Sequence, residues 1–161
     1  MIRLAVAGDA EAIVRIYNHY VLNTIVTFEE QEVPVAQMAE RMNAVEAAHL
    51  PWLVMEQAGQ IVGYAYASRW KARSAYRFTV ESSVYVAHAA VGKGLGRQLY
   101  QALLQRLKPS GVHAVVGCLG LPNEASVALH EKCGFQKVAH FKEVGFKFGT
   151  WLDVGYWQLL L

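Results

Sequence analysis

Three glycines at alternate positions, Gly92, Gly94 and Gly96, separate a run of strand formers from an amphipathic stretch, and few folds accommodate that order. Ser83 to Val86 are β-branched, aromatic or small and predict a buried strand, whereas Leu95, Leu99, Ala102, Leu103 and Leu107 recur at the three- and four-residue spacing of one helix face. The turn Val91-Gly92-Lys93-Gly94-Leu95-Gly96 between them is almost stripped of side chains, so consecutive backbone N–H groups at the helix start can face an anion, with the helix dipole in support. A phosphate site is the natural expectation. Two nucleotide readings are weakened by what the turn lacks. A Walker loop needs Ser or Thr after its Gly-Lys pair, where this chain has Gly94. A dinucleotide fingerprint needs its third glycine one residue later and an acidic residue about 20 positions on, and no suitable acid follows.

The rest of the chain reads as alternating short elements. Ile2 to Val6 suit a first strand, and Asp9 is placed to cap a helix running to about Leu22 with Ile13, Ile16, Tyr17 and Tyr20 on its inner face. Thr24 to Glu30 is β-rich but short, and a second helix begins near Pro34. Phe28, inside that stretch, suits either a packing contact or the wall of a substrate pocket. Pro51 to Glu56, the turn at Ala58-Gly59 and Ile61 to Tyr66 predict a hairpin. Beyond the organising helix, Ala114 to Leu119 supplies a fifth strand, Asn123 to Lys132 a short helix capped by Asn123, and Phe135 to His140 and Trp151 to Leu161 two further strands. Antiparallel strands followed by strand-helix-strand units predict an α+β fold: one mixed, mostly antiparallel sheet of about seven strands with helices on both faces.

A chain of 161 residues fits a single domain, and 54% apolar against 17% charged residues leaves no linker or disordered tail within residues 1–161. The net charge of +2 is dispersed, so the basic stripe that nucleic acid requires is absent and no nucleic-acid partner is expected. The apolar start is broken by Gly8, Asp9 and Glu11, which suits neither a signal peptide nor a membrane span; a cytoplasmic location with no membrane partner is the expectation. Cys118 and Cys133 lack metal-ligand spacing, so they are expected to be reduced thiols in or near a core, with no metal site.

The turn at 91–96 resembles the pyrophosphate-binding turn of the GNAT superfamily of N-acetyltransferases, with Val91 standing where that family usually has Arg or Gln. Pro122 to Phe135, PNEASVALHEKCGF, is similar to the superfamily's second signature, an Asn that starts a helix ending at Gly-Phe. Pro51-Trp52-Leu53-Val54, Trp70-Lys71-Ala72-Arg73, Thr79 to Val86 and Val144 to Gln158 further resemble the phosphinothricin and methionine sulfoximine acetyltransferases over nearly the whole chain.

The resemblance implies acetyl-CoA as co-substrate, held by Val84, Tyr85, Val86, Gly92, Lys93, Gly94, Leu95, Gly96, Arg97, Asn123 and Ser126. It implies a small amino-acid analogue as amine acceptor, bound by Phe28, Lys71, Arg73, Tyr76, Glu81 and Tyr85, and a homodimer. An ammonium has no lone pair, so the acceptor must lose a proton before it attacks a thioester. Glu81 stands at the family's position for that base, in an apolar run where desolvation would raise its pKa. Val86 holds the position of the backbone N–H that faces the developing oxyanion. His130 stands where a Tyr commonly protonates the departing thiolate, and an imidazole with an ordinary pKa of about 6.5 could serve. The bland readings are an exposed strand Glu81, a packing His130, and a solvated loop carrying Lys71 and Arg73. Acetylation of a peptide or protein amine, and an inert acyl-CoA-binding module, are the alternative functions.

Overall fold

The structure, a computed structural model, describes every residue from Met1 to Leu161. In chain order the elements are β1 (Ile2–Leu4), α1 (Ala10–Asn23), α2 (Val35–Ala47), β2 (Trp52–Gln57), β3 (Gln60–Arg69), β4 (Thr79–Val86), α3 (Leu95–Leu107), β5 (Ala114–Leu121), α4 (Glu124–Lys132), β6 (Gln136–Lys147) and β7 (Thr150–Leu160). The strands form a single seven-stranded sheet in the order β1-β2-β3-β4-β5-β7-β6, antiparallel throughout except where β4 runs parallel to β5. No helix is long and apolar enough to cross a membrane.

Two-residue alternation sends the side chains of β4 to opposite faces of the sheet. Val80, Ser82, Val84 and Val86 turn toward α3, where Leu99, Leu103 and Leu107 are fully buried with Leu53, Ala65, Val115 and Trp157. Each such leucine contributes about 1.5–3 kcal/mol by leaving water. Glu81, Ser83 and Tyr85 turn the other way, toward α1 and α2. There Ile13, Tyr17, Val21, Met38 and Met42 build a second core on Trp52, Val54 and Tyr64. The expected layers, helices on both faces of one mostly antiparallel sheet, are therefore present.

The feature that makes room for function is a parting within the sheet. β4 and β5 pair only through Thr79, Val80 and Glu81 with Ala114, Val115 and Val116. Beyond that point β4 stays laddered to β3 as far as Val86, and β5 to β7 as far as Leu121, while the two strands diverge from each other. A wedge opens between them.

Local expectations fail where a distant partner competes. The first strand stops at Leu4, and Asp9 does not cap α1 with its side chain. Its carboxylate instead accepts from the Val6 N–H at 2.8 Å and from both terminal nitrogens of Arg3 at 2.8 and 2.9 Å, bracing the turn before the helix. Thr24 to Glu30 forms no strand despite its composition, because no strand lies beside it and its polar groups bond to the end of α1 and to side chains from elsewhere. The Thr24 hydroxyl donates to the Tyr20 carbonyl and accepts from the Val26 N–H. β6 runs seven residues beyond the expected end at His140, through register shifts between Lys137 and Ala139 and between Phe141 and Gly145. Phe135 lies just before it as a buried core residue rather than a strand residue.

Candidate active site

The glycine turn folds as its composition demands. Gly92 and Gly94 take φ of +80° and +73°, left-handed conformations that cost glycine nothing, and the space where each Cβ would stand is open. Gly94 immediately precedes α3, and no side chain caps that helix, so its first N–H groups point into the open volume. That volume is a groove of about 750 Å³ along the wedge. Val84, Tyr85 and Val86 form one wall, Gly92, Gly94, Leu95, Gly96 and Arg97 the end, and Asn123 and Ser126 of the α4 start the other wall. Of the residues expected here only Lys93 lies outside. Its side chain leaves the turn on the solvent side, whereas Arg97 and Lys132 bring cations to the groove from α3 and α4. Lys132 escaped notice in the sequence, although Ala125, Ala128, Leu129 and Lys132 recur at helical spacing on one face.

Tyr20 and Val26 also line the groove. The Tyr20 hydroxyl donates to the Val86 carbonyl, and burial raises its pKa so that it stays a donor. The Ala87 N–H bonds the Val62 carbonyl at 2.8 Å on the β3 side; by alternation the N–H and C=O of Val86 face the wedge. With its carbonyl engaged by Tyr20, Val86 presents its N–H.

Glu81 is the last residue of β4 paired with β5, opposite Val116 on one side and Ser68 on the other. It is half-buried, and burial pushes its carboxyl pKa above the ordinary value while Lys71 pulls against the rise. Lys71 belongs to the exposed loop after β3, its Nζ 5.1 Å from the Trp70 ring centroid, and Trp70 meets Tyr76 edge to face at 5.3 Å. Neither Lys71 nor Arg73 is paired with a carboxylate. Tyr85 packs at 5.3 Å against Tyr17, Tyr20 and Tyr64 on the same face as Glu81. Phe28 reaches this face from the 24–34 segment. Its ring occupies the space above two glycines, where a methyl on Gly120 would lie 2.7 Å from it and one on Gly145 closer still. Cys118, expected in or near the core, is exposed on the β5 edge opposite Tyr156, and Cys133 is half-buried; both are free thiols.

A model of the acetyltransferase (GNAT) domain matches residues 2–155 of the chain. The chain belongs to the GNAT acetyltransferase family. It is 41% identical to the phosphinothricin N-acetyltransferase of Streptomyces viridochromogenes, over 98% of this chain and 85% of that protein. It is 39% identical to the L-methionine sulfoximine/L-methionine sulfone acetyltransferase of Salmonella typhimurium, over 99% and 94%. The solved structure of a GNAT superfamily phosphinothricin acetyltransferase from Sinorhizobium meliloti, in complex with acetyl-CoA, superposes with a TM-score of 0.97 at 38% identity, covering 100% of this chain and 88% of that one. As a GNAT enzyme the chain is an acetyl-CoA-dependent N-acetyltransferase.

In this GNAT chain His130, the expected acid, lies outside the groove. It is 8% exposed, wedged edge-on between the rings of Tyr100 and Phe135, and does not line the groove. Its Nδ1 lies 2.7 Å from the Ser126 carbonyl, which only accepts, so Nδ1 carries the proton. Nε2 is then turned on Gly117, where a methyl would sit 2.5 Å away. Burial lowers its pKa, opposed by the Ser126 carbonyl, so the imidazolium an acid would need is scarcer than in water. The geometry is that of a neutral packing group.

Proposed function

We propose that this GNAT enzyme acetylates the α-amino group of a small anionic amino-acid analogue of the phosphinothricin or methionine sulfoximine/sulfone type. The observation that carries the reading is the position of Glu81. It sits where β4 and β5 part, between the glycine-ended groove and the loop of Lys71 and Arg73. The names of the relatives support the same acceptor class.

The N–H groups of the 92–96 turn and the α3 start, with Arg97 and Lys132, hold the pyrophosphate of acetyl-CoA, which supplies the thioester. Absence of Arg or Gln at Val91 removes one side-chain contact and leaves these backbone donors in charge. Lys71 and Arg73 bind the carboxylate and the phosphinate-like group of the acceptor, with Tyr76, Tyr85 and Phe28 as walls. Glu81 takes the ammonium proton, directly or through one water, and the amine attacks the thioester carbon. The Val86 N–H faces the oxygen on which charge develops. Because His130 is held neutral away from the groove, the CoA thiolate leaves without it; a thiol has an ordinary pKa of about 8.5, so its anion is a tolerable leaving group.

Purified protein incubated with acetyl-CoA and a panel of amino acids, with free thiol as the readout, tests the reading. Thiol release with phosphinothricin or methionine sulfoximine is expected, and none with any amine overturns it. Lys71→Ala and Arg73→Ala should each raise KM for an anionic acceptor and leave KM for acetyl-CoA near wild type. A charge-assisted contact is worth about 1.5–3 kcal/mol when desolvated, roughly one to two decades, and these exposed side chains should fall at or below the lower end. Full activity in both variants would make them solvent cations.

The same reading includes a cytoplasmic homodimer. Val138, Phe141, Val144, Phe146, Phe148 and Trp151 expose apolar side chains along β6 and β7, each at least half exposed, and a second copy is the occupant that would cover them.

A further inference from the structure

We infer that Lys147 is a positioning residue for the acceptor: from the far end of β6 it fixes the 24–34 segment, and with it Phe28, across the mouth of the wedge. Lys147 is 2% exposed, and its Nζ donates at 2.8 Å to the carbonyl of Thr27, 120 residues earlier in the chain. The ring of Phe148 lies 5.1 Å from the same nitrogen. A buried ammonium is costly, and an apolar side chain of similar volume often serves a core as well or better. What the ammonium adds here is a donor aimed at the backbone of a segment that has no ladder bonds of its own.

The other fastenings of that segment come from the α1 and α2 side. The Asn18 amide brackets Val33, accepting from its N–H at 2.9 Å and donating to its carbonyl at 3.0 Å. The hydroxyls of Tyr17 and Thr27 meet at 2.8 Å, and Arg41 grips both oxygens of Glu29 at 2.6 and 2.8 Å. Lys147, by contrast, belongs to the strands beyond the wedge, as do Gly120 and Gly145, whose missing side chains make the niche for the Phe28 ring. The segment thus spans the gap in the sheet, tied on the near bank by α1 and α2 and on the far bank by Lys147 and the Phe28 niche. Releasing the far tie frees the acceptor wall; of that segment only Val26 borders the acetyl-CoA groove, whose 92–97 end and α4 wall are held by other elements.

This inference rests on the acceptor reading above, and two measurements keep the two apart. In Lys147→Met, KM for the acceptor should rise by about tenfold or more while KM for acetyl-CoA stays within about twofold of wild type. Lys147→Gln, one atom shorter but still an N–H donor, should recover part of that loss. Independently of activity, a glutamate-specific protease should cut after Glu29, Glu30 or Glu32 faster in Lys147→Met than in wild type at an unchanged melting temperature. An unaltered acceptor KM, both KM values rising together with a fall in melting temperature, or cleavage as slow as wild type would each overturn the positioning role. Wild-type protein that releases thiol with none of the amines tested would instead sink the acceptor reading, with the protease comparison still deciding the clamp.

Discussion

Glu81→Gln should yield a folded protein that binds acetyl-CoA and transfers acetyl groups on the order of 10²–10⁴-fold more slowly, the usual worth of a positioned base. The amide keeps the size and the strand geometry of the carboxylate and removes only its ability to accept a proton. With Glu81 as the proposed base, wild-type activity requires the ionised form, so the rate should be present above the Glu81 pKa and fall as pH drops through it. Burial raises that pKa, so the acid limb should be displaced upward from that of an ordinary glutamate, with Lys71 limiting the displacement. Stability runs the other way. A carboxyl whose pKa is raised by folding favours the native state at acid pH, and that contribution is lost as pH rises through the folded value. At neutral pH the glutamine variant should therefore be as stable as wild type or more so, while nearly inactive. Steady-state kcat across pH, beside a denaturant titration of both proteins, gives the comparison. Wild-type kcat in the variant at every pH would place the base elsewhere.

Gly96→Val should remove tight acetyl-CoA binding from a protein that still folds. A Cβ on Gly96 would stand 3.5 Å from Leu129 and 3.7 Å from Val86, ordinary contacts, yet both of those residues wall the groove and the two further methyls have to enter it. Valine is a better helix residue than glycine, so nothing in α3 opposes the change. The loss falls on the ligand: each charge-assisted contact displaced is worth about 1.5–3 kcal/mol, so two of them amount to at least two decades in Kd. Gly94 differs, since its Cβ would meet open space but its φ of +73° would strain any other residue. Calorimetry with CoA decides the matter, and an unchanged Kd in folded Gly96→Val would remove the turn from the cofactor site.

Both predictions concern the stretch that the sequence makes most readable, and the reason is physical. Strand, turn and helix there are contiguous, the glycine spacing acts through backbone geometry, and the apolar surroundings of Glu81 already imply the desolvation that raises its pKa. Legibility falls as partners become distant. Asp9 has the right residue type for a helix cap, but Arg3 and the Val6 N–H claim its oxygens. Thr24 to Glu30 has strand composition without a neighbouring strand. The spacing that puts His130 seven residues after Asn123 places it on α4, but cannot say that its ring turns inward to Tyr100 and Phe135. Lys147 is invisible by the same measure, because its partner is 120 residues away and nothing local distinguishes a buried lysine from a solvated one.

The parting of β4 from β5 also governs how the molecule comes apart. Three residue pairs stitch the first four strands to the last three, and past them the seam has no ladder. Mechanically the sheet is two plates joined by a short hem, with α3 laid across it. A ligand in the groove touches β4 on one plate, α4 on the other and the start of α3 between them, so it acts as thread as well as reactant. Binding only the joined form adds RT ln(1 + [L]/Kd), about 2.7 kcal/mol at a hundredfold excess over Kd, and that increment resists separation of the plates in particular. Bound acetyl donor is therefore expected to hold the two plates together as well as to react, and a melting temperature that rises with acetyl-CoA concentration is the result that would show it.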